Sequence, residues 1–542
     1  MSATTASATP RSDAPQASPA GSLRARTSQL WRSSRAQLAQ AWAWPLVPQG
    51  FIAMLLIAAG SISPAFLPAD APLLAALPWF NSALARLLST AVVLVGLVTL
   101  FEAWLRLRPR AGRRTAPTAT WAIWSAPLLF APPIFSRDAY SYAAQGLVVS
   151  RGMDPYQTGP IAVPGPFADQ VDPLWLFTPA PYGPLALQLQ RIVVELSGGH
   201  ALVAAIAMRV PALVAMGVIA WALPRLATRM GVSRDHAVWL GVISPLTLLH
   251  LVGGAHNDAV MIALVVAGLL LASDGRWVVA SVAVAAGAGF KQTAVLALVG
   301  VAGLAYRHAA GGPGEGPLRS AVDQRAYLRI ASKVGLLAFL AFTALTVVTG
   351  LGWGWIANLS VPGSVLSFLS PVTMAGAALS WALGALGVPQ EWAAMALPAV
   401  QGCGAVAAVL ALGWITWVLG PRRPVAASAA AFMAFTLGGP TVYPWYVLWG
   451  AVLLGATLTD RRIVQCLVWA TGWMLAYAAL DVAVVNGLWI LALAGIGWGV
   501  LRIGRARLDR VDEPLMGGSA NDRQWSPAAN TGNAPTGSDS RN

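Results

Sequence analysis

The sequence predicts an all-α polytopic integral membrane protein, and three observations carry that prediction. Hydrophobic residues make up 57% of the 542 and charged residues only 10%, the balance of a chain built for lipid. Apolar runs long enough to enter about 30 Å of hydrocarbon recur along the chain, separated by short basic or Pro/Gly-rich breaks. The 24 tryptophans and 53 glycines suit the same solvent. Indoles favour the membrane–water boundary, and small residues let neighbouring helices approach closely.

The ends of the chain read differently. Residues 1–44 are rich in Ser, Ala, Pro, Gln and Arg, without an apolar core ahead of a cleavage site. No cleavable signal peptide is expected there, only a disordered cytoplasmic tail. Residues 506–542 have the same polar character and form a second expected cytoplasmic tail. Between them, 45–505 reads as one transmembrane domain. Its two cysteines, Cys403 and Cys466, lie in apolar runs and read as packing residues, not as a disulfide or a thiolate metal site.

The apolar runs place helices near 50–68, 84–105, 118–135, 200–224, 237–252, 257–272, 277–290, 293–307, 333–351, 392–419, 424–440, 446–459, 463–479 and 487–503, fourteen in all. The stretch 372–388 reads as a re-entrant or interfacial piece. Several runs are shorter than the ~20 residues a crossing helix needs, so they tilt or meet at mid-membrane inside protein. Sidedness follows from basic loops. Arg106, Arg108, Arg110, Arg113 and Arg114 share one loop, Arg225, Arg229 and Arg234 another, and Arg422/Arg423, Arg461/Arg462 and the arginines of 502–510 mark three more cytoplasmic segments. The net charge of +14 is therefore mostly a topology signal and not a nucleic-acid footprint. The same bookkeeping puts both termini in the cytoplasm. It puts 136–199 outside, with the loops 253–258, 352–372, 441–446 and 480–486.

Every polar cluster then falls on that external face. In Ser136–Gly146, a helix would align Asp138, Tyr142 and Gln145 on one side, with Arg137 and Tyr140 beside them and Gly146 as a place to break or bend. A carboxylate among aromatic rings suits a base that accepts a hydroxyl proton from a sugar lying against those rings. The plainer role for Asp138 is to favour a helix start through the helix dipole. Asp154 and Tyr182 sit in Pro/Tyr-rich external turns whose composition turn chemistry also explains. His256, Asn257 and Asp258 follow one span and open the next. Capping accounts for one of the three, leaving an imidazole and a second carboxylate at membrane level.

Cations are scarce inside. Lys291, next to Gln292, joins two apolar runs, where it holds a lipid-linked phosphate or snorkels to headgroups. Arg209 lies deep in 200–224, either as a second phosphate ligand or paired with an acid such as Glu195. Trp445 and Tyr446, after Tyr443 and Pro444, form either a belt or a rigid wall for a sugar or prenyl chain. Walker loops, dinucleotide fingerprints, zinc-protease motifs, paired CxxC motifs and nucleophile elbows are missing, so a cytosolic nucleotide substrate has no visible docking site.

Taken in order, SRDAYSYAAQG at 136–146, GMDPY at 152–156, PYGP at 181–184, GGAHNDA at 253–259, FKQTA at 290–294 and YPWYVLW at 443–449 resemble the polyprenol-phosphomannose-dependent α-1,6-mannosyltransferases of the GT-C glycosyltransferase fold. The resemblance covers most of 45–505. It implies a plasma-membrane enzyme that moves mannose from polyprenyl-phosphomannose to a lipid-anchored mannan, inverting the linkage, in lipomannan and lipoarabinomannan synthesis. It also implies that an external acid is the base, the position Asp138 matches. In many GT-C enzymes that acid follows the first span, whereas two predicted spans precede the relevant one here. Lys291, Gln292 and Arg209, with His256 in reserve, are the expected phosphate partners. Arg137, Tyr140, Tyr142, Tyr182, His256, Asn257, Asp258, Trp445 and Tyr446 are the expected substrate contacts. No cofactor or metal is expected. The alternatives are a GT-C transferase for another polyprenyl-phosphate sugar, such as arabinofuranose or glucose, and a secondary transporter or lipid flippase, which would use broken helices and buried charges differently.

Overall fold

A computed structural model describes residues 19–504 apart from 63–66, 68–73, 75, 110–116, 313, 314, 458 and 486. The expected C-terminal tail and the first 18 residues of the N-terminal one lie outside the described residues. So do Arg110, Arg113 and Arg114 of the first basic loop. Within the rest of the expected N-terminal tail, Pro19–Trp42 is helical. Its Arg, Gln, Ala and Leu are good helix formers and its proline stands first in the helix, a local preference that overall polarity conceals. The portion Arg32–Trp42 meets the apolar helix Val47–Gly60 at 90°.

All regular structure among the described residues is helical. Helix starts follow local chemistry. Proline, which lacks an N–H to lose and has φ already set, stands in the first turn of Pro184–Leu196, Pro371–Ala385, Pro424–Gly438 and Pro444–Leu454. Ser82 caps Ala83–Arg106 by accepting the Ala85 N–H at 3.1 Å. Gly350, at φ 72°, ends Gln324–Thr349 in the left-handed region that glycine enters without strain.

Among the described residues five helices are long and apolar enough to cross a membrane: Ala83–Arg106, Ala201–Arg229, Gln324–Thr349, Gln390–Leu419 and Arg461–Val484. Each coincides with an expected run. The count reaches seven if each of two bent pairs is one span. The run 237–252, expected as a single helix, is one of these pairs, Arg234–Val242 and Thr247–Gly253, bent by 55°. Pro245 lies at the break, where its missing N–H and ring prevent a continuous helix. The other apolar helices, Asp258–Ser273 and Pro444–Leu454 among them, have 10–17 residues. The expected re-entrant piece is the 15-residue helix Pro371–Ala385, packed against Ala396–Trp414. At 1.5 Å per residue it is about 22 Å long, less than a hydrocarbon core.

The outer surface is apolar. Val348 is 84% exposed, Leu386 81% and Trp381 77%, and of Ala396–Trp414 only Ala396 is buried. Such a surface would aggregate in water and is at home in lipid. Cys403 and Cys466 are exposed on it, free and unpaired. The packing role expected for them does not hold, because apolar character in this solvent no longer implies burial.

Inside, Trp104 and Trp239 stack at 4.8 Å and each donates its indole N–H to the other's carbonyl. That exchange ties the Ala83–Arg106 span to the broken pair. Asp138–Ser150 packs against Pro184–Leu196 through Gly146. A Cβ there would stand 2.6 Å from the Gln190 backbone. Gly146 therefore serves a close approach inside an unbroken helix and does not bend it. Gly183 plays the same part against the Gly289 carbonyl, 2.4 Å from where a Cβ would lie, and brings the 181–184 turn beside Lys291.

Candidate active site

A cavity of about 380 Å³ opens between Asp138–Ser150, the 172–182 segment, Pro444–Leu454 and Arg461–Val485. Arg137, Asp138, Tyr182, Lys291, Trp445 and Tyr446 line it, all six expected from sequence. Asp138 opens its helix, and its own N–H is received by Ser136 Oγ at 3.0 Å. One carboxylate oxygen, Oδ2, faces His256 Nδ1 at 3.4 Å and accepts the Tyr142 hydroxyl at 3.2 Å. Tyr142 and His256 are themselves 3.4 Å apart, so the three form a closed triangle. Burial raises the Asp138 pKa, but the imidazole, Ser136 and Lys291 more than offset this and hold it below the ordinary 3.8. Its carboxylate is 17% exposed, toward the cavity, and ionised at neutral pH. The Tyr142 and Tyr182 phenols are pushed well above 10, first by burial, and stay protonated donors.

A second cluster stands beside the first. Lys291 Nζ lies 2.9 Å from Asp258 Oδ1, an acid with no exposed side-chain surface. The same oxygen accepts the Trp449 indole N–H. The ammonium also rests over the rings of Tyr446, at 4.2 Å, and Trp449, at 4.9 Å. Carboxylate and ring faces together offset the cost of holding a cation here. Trp445 stacks on His256 at 3.9 Å and on Tyr443 at 4.6 Å, so a row of parallel rings runs along one wall.

Four expected residues stand behind the wall. Tyr142, His256 and Asp258 act through the contacts just given, and Gln292 donates to the Pro181 carbonyl at 3.0 Å, fixing the turn that carries Tyr182. Tyr140 is buried in the apolar cluster that also holds Tyr142, Phe167 and Val171, and is not among the lining residues. Asn257 is 8% exposed and is not among the lining residues.

Arg209 does not reach the cavity. Its guanidinium, 2% exposed, donates to four backbone carbonyls: Ala131, Pro132 at 2.6 Å, Val252 at 3.2 Å and Gly253 at 3.0 Å. Every arm of the planar fork is directed at backbone, so neither the expected phosphate contact nor a pairing with Glu195 is made. Glu195 is bound by Arg191 instead, at 2.7 Å. The four carbonyls belong to the two turns that deliver Asp138 and His256. Each turn contains a non-glycine residue in the left-handed region, Phe135 at φ 57° and Ala255 at φ 54°. Backbone strain of that kind persists only where the surroundings over-determine it. The Ile134 N–H, which donates to the Gly253 carbonyl at 3.2 Å, adds a direct bond between the turns.

Sequence reasoning missed other lining residues. His250, Asp172, Trp175, Tyr477 and Asp481 all reach the cavity. Asp481 carried a signal, being an acid at the end of an apolar run.

The deep chemistry is thus a carboxylate held ionised by an imidazole, a serine hydroxyl and a nearby ammonium, with a phenol bound to it and aromatic rings for a wall. That combination can take a proton from a hydroxyl and receive an anionic leaving group. Comparison with known proteins gives the reaction class. The family model described as "Alpha-(1->6)-mannopyranosyltransferase, N-terminal domain" matches residues 47–307. Alpha-(1->6)-mannopyranosyltransferase A of Mycobacterium tuberculosis is 31% identical over 434 residues, covering 79% of this chain and 83% of its own. A probable alpha-(1->6)-mannopyranosyltransferase of Mycolicibacterium smegmatis is 32% identical, covering 68% of this chain and 71% of its own. Alpha-(1->6)-mannopyranosyltransferase B of Corynebacterium glutamicum is 28% identical, covering 84% and 81%. With an ionised acid, a cation and an apolar scaffold in one cavity, and with relatives alike over most of their length, the chain belongs to the alpha-(1->6)-mannopyranosyltransferase family of membrane mannosyltransferases.

Proposed function

We propose that this mannosyltransferase takes mannose from polyprenyl-phosphomannose and adds it, with inversion, to the 6-hydroxyl of a lipid-anchored mannan on the extracytoplasmic face. The observation that carries the reading is the pairing of an ionised acid with a lysine in one cavity, Asp138 beside His256 and Lys291 beside Asp258. The acceptor oxygen attacks the anomeric carbon and its proton passes to the Asp138 carboxylate. The bond from that carbon to the phosphate oxygen breaks, and polyprenyl phosphate leaves with the bonding pair. Lys291 has three N–H donors. Among the described residues one is committed to Asp258, so the others are available to the departing phosphate. Arg137, the second cation on the wall, supports it there. Tyr182, Trp445 and Tyr446 are the surfaces for the sugar rings.

A phosphate leaving group needs no general acid, which fits a site whose acid beside the cations, Asp138, is held ionised. Sidedness rests on loop charge, and the lipid donor on the apolar surface around a polar cavity. Purified protein in nanodiscs, given either radiolabelled polyprenyl-phosphomannose or GDP-mannose with a synthetic α-1,6-dimannoside, tests the reading. Transfer from the lipid donor alone, with an α-1,6 linkage in the product, is expected. Transfer from the nucleotide sugar, or none from the lipid, would overturn it.

A further inference from the structure

Asp172, Asp481, Trp175 and Tyr477 line the cavity that holds Asp138 and Lys291, yet nothing in the proton transfer or in phosphate binding uses them. Asp172 caps the short helix Pro173–Leu176 with one carboxylate oxygen, but neither its second oxygen nor the placement of Asp481 is explained by folding. Asp481 lies within the last turns of Arg461–Val485, where the helix dipole disfavours an acid. It makes no hydrogen bond or ion pair among the described residues and is exposed to the cavity. Asp172 Oδ1 accepts the Leu174 N–H at 2.9 Å, and its other oxygen has no partner among the described residues. The two acids are within electrostatic reach of each other, and Tyr477 is within reach of Asp481. Gln145, 5% exposed, lines the same cavity with its Oε1 unsatisfied.

Tyr443 links this group to the reacting centre. It stacks on Trp445, which stacks on His256, and it feels the charges of both Asp138 and Asp172. Two neighbouring carboxylates repel a phosphate, so this part of the cavity does not suit the donor's headgroup. They accept hydrogen bonds from paired hydroxyls, as the unsatisfied Gln145 also can, while Trp175, Tyr443 and Tyr477 offer rings for apolar sugar faces. We infer that Asp172 and Asp481, with Gln145, Trp175, Tyr443 and Tyr477, form the subsite for the acceptor, a neutral hydroxyl-rich oligosaccharide whose reactive end reaches Asp138 along the ring row. The inference rests on the transferase reading for the acceptor's role, but its binding chemistry stands apart from the donor's identity.

The test therefore begins without a donor. Titration of full-length protein in nanodiscs with α-1,6-mannotriose, followed by tryptophan fluorescence or calorimetry, reads the subsite directly. Asp481→Asn and Asp172→Asn, each removing hydrogen bonds to a charged group, weaken that binding by about tenfold. In transfer assays the same variants raise the acceptor KM about tenfold and leave the donor KM unchanged, which also shows that they are folded. Wild-type trisaccharide affinity in both variants overturns the inference. So does a rise confined to the donor KM, which would give these residues to the donor, or a dependence of trisaccharide binding on added Mn2+ or Mg2+ that the variants abolish. If transfer from the lipid donor fails while trisaccharide binding still depends on Asp481, the donor assignment falls and the subsite stands.

Discussion

Arg209 makes the most demanding prediction, because its four bonds connect the two turns on which the site is built. Replacing it with lysine keeps the charge but substitutes three donors at a single point for a planar fork. At least one of the four carbonyls then loses its side-chain donor, at a cost of about 1–3 kcal/mol where, as at Ala131 and Pro132, no backbone N–H replaces it. Methionine leaves the Ala131 and Pro132 carbonyls unpaired, about 2 kcal/mol even at the low end per group, less what is recovered by no longer burying a charge, while Val252 and Gly253 keep the Ala255 and Ile134 N–H donors. Loss of the clamp also frees two turns that each carry a left-handed non-glycine residue, strained by about 1–3 kcal/mol apiece. As they relax, Asp138 moves relative to His256, and a displacement near 1 Å costs as much as ~10²-fold in rate. Thermal unfolding of purified protein, run beside transfer kinetics, reads both effects. Arg209→Lys is expected to unfold earlier and to lose about ten- to hundredfold in kcat with the donor KM unchanged. Wild-type kcat and unfolding in that variant would refute the clamp. A raised donor KM with undiminished stability would return Arg209 to the phosphate.

Other outcomes follow from the same geometry. Lys291→Ala strands the buried Asp258, and breaking such a pair costs about 3–5 kcal/mol; Lys291→Ala with Asp258→Asn recovers stability without recovering donor affinity, as a double-mutant cycle of unfolding and donor titration would show. His256→Gln removes the main influence opposing burial on Asp138, so its pKa rises. The carboxylate-dependent rate and stability, present above the ordinary carboxylate value and lost as pH falls, then disappear at a higher pH than in the wild type; coincident acid limbs in the pH–rate profiles would contradict this. Gly183→Ala places a methyl 2.4 Å from the Gly289 carbonyl, so it slows transfer and lowers the unfolding temperature, whereas Gly152→Ala, in open space though at φ 73°, leaves transfer unaffected.

What could be read from the sequence was whatever is encoded locally. The long spans are legible because hydropathy over some twenty residues is a strong signal, and Ala83–Arg106 or Gln390–Leu419 needs no partner to declare itself. Asp138, His256 and Lys291 are legible because a charge beside an apolar run is conspicuous. The bend at Pro245 was concealed by an apolar run that continues through it. Arg209 was misjudged for a different reason: depth in a span was visible, but the four carbonyls that satisfy it come from residues 43 to 78 positions away. Asp172 and Asp481 are separated by hundreds of residues and come to one cavity only through tertiary folding, so no local pattern joins them. The side of the cavity around Asp138 and Lys291 was written in short motifs, and the rest in long-range packing.

The measurement closest to the centre of the account is transfer by Asp138→Asn in nanodiscs supplied with polyprenyl-phosphomannose and an α-mannoside. The substitution keeps the side chain's shape and removes the base. The account predicts a fall of ~10²- to 10⁴-fold in kcat with donor binding retained. Turnover near that of the wild type would contradict it and move the base elsewhere, with Asp258 the next acid to examine.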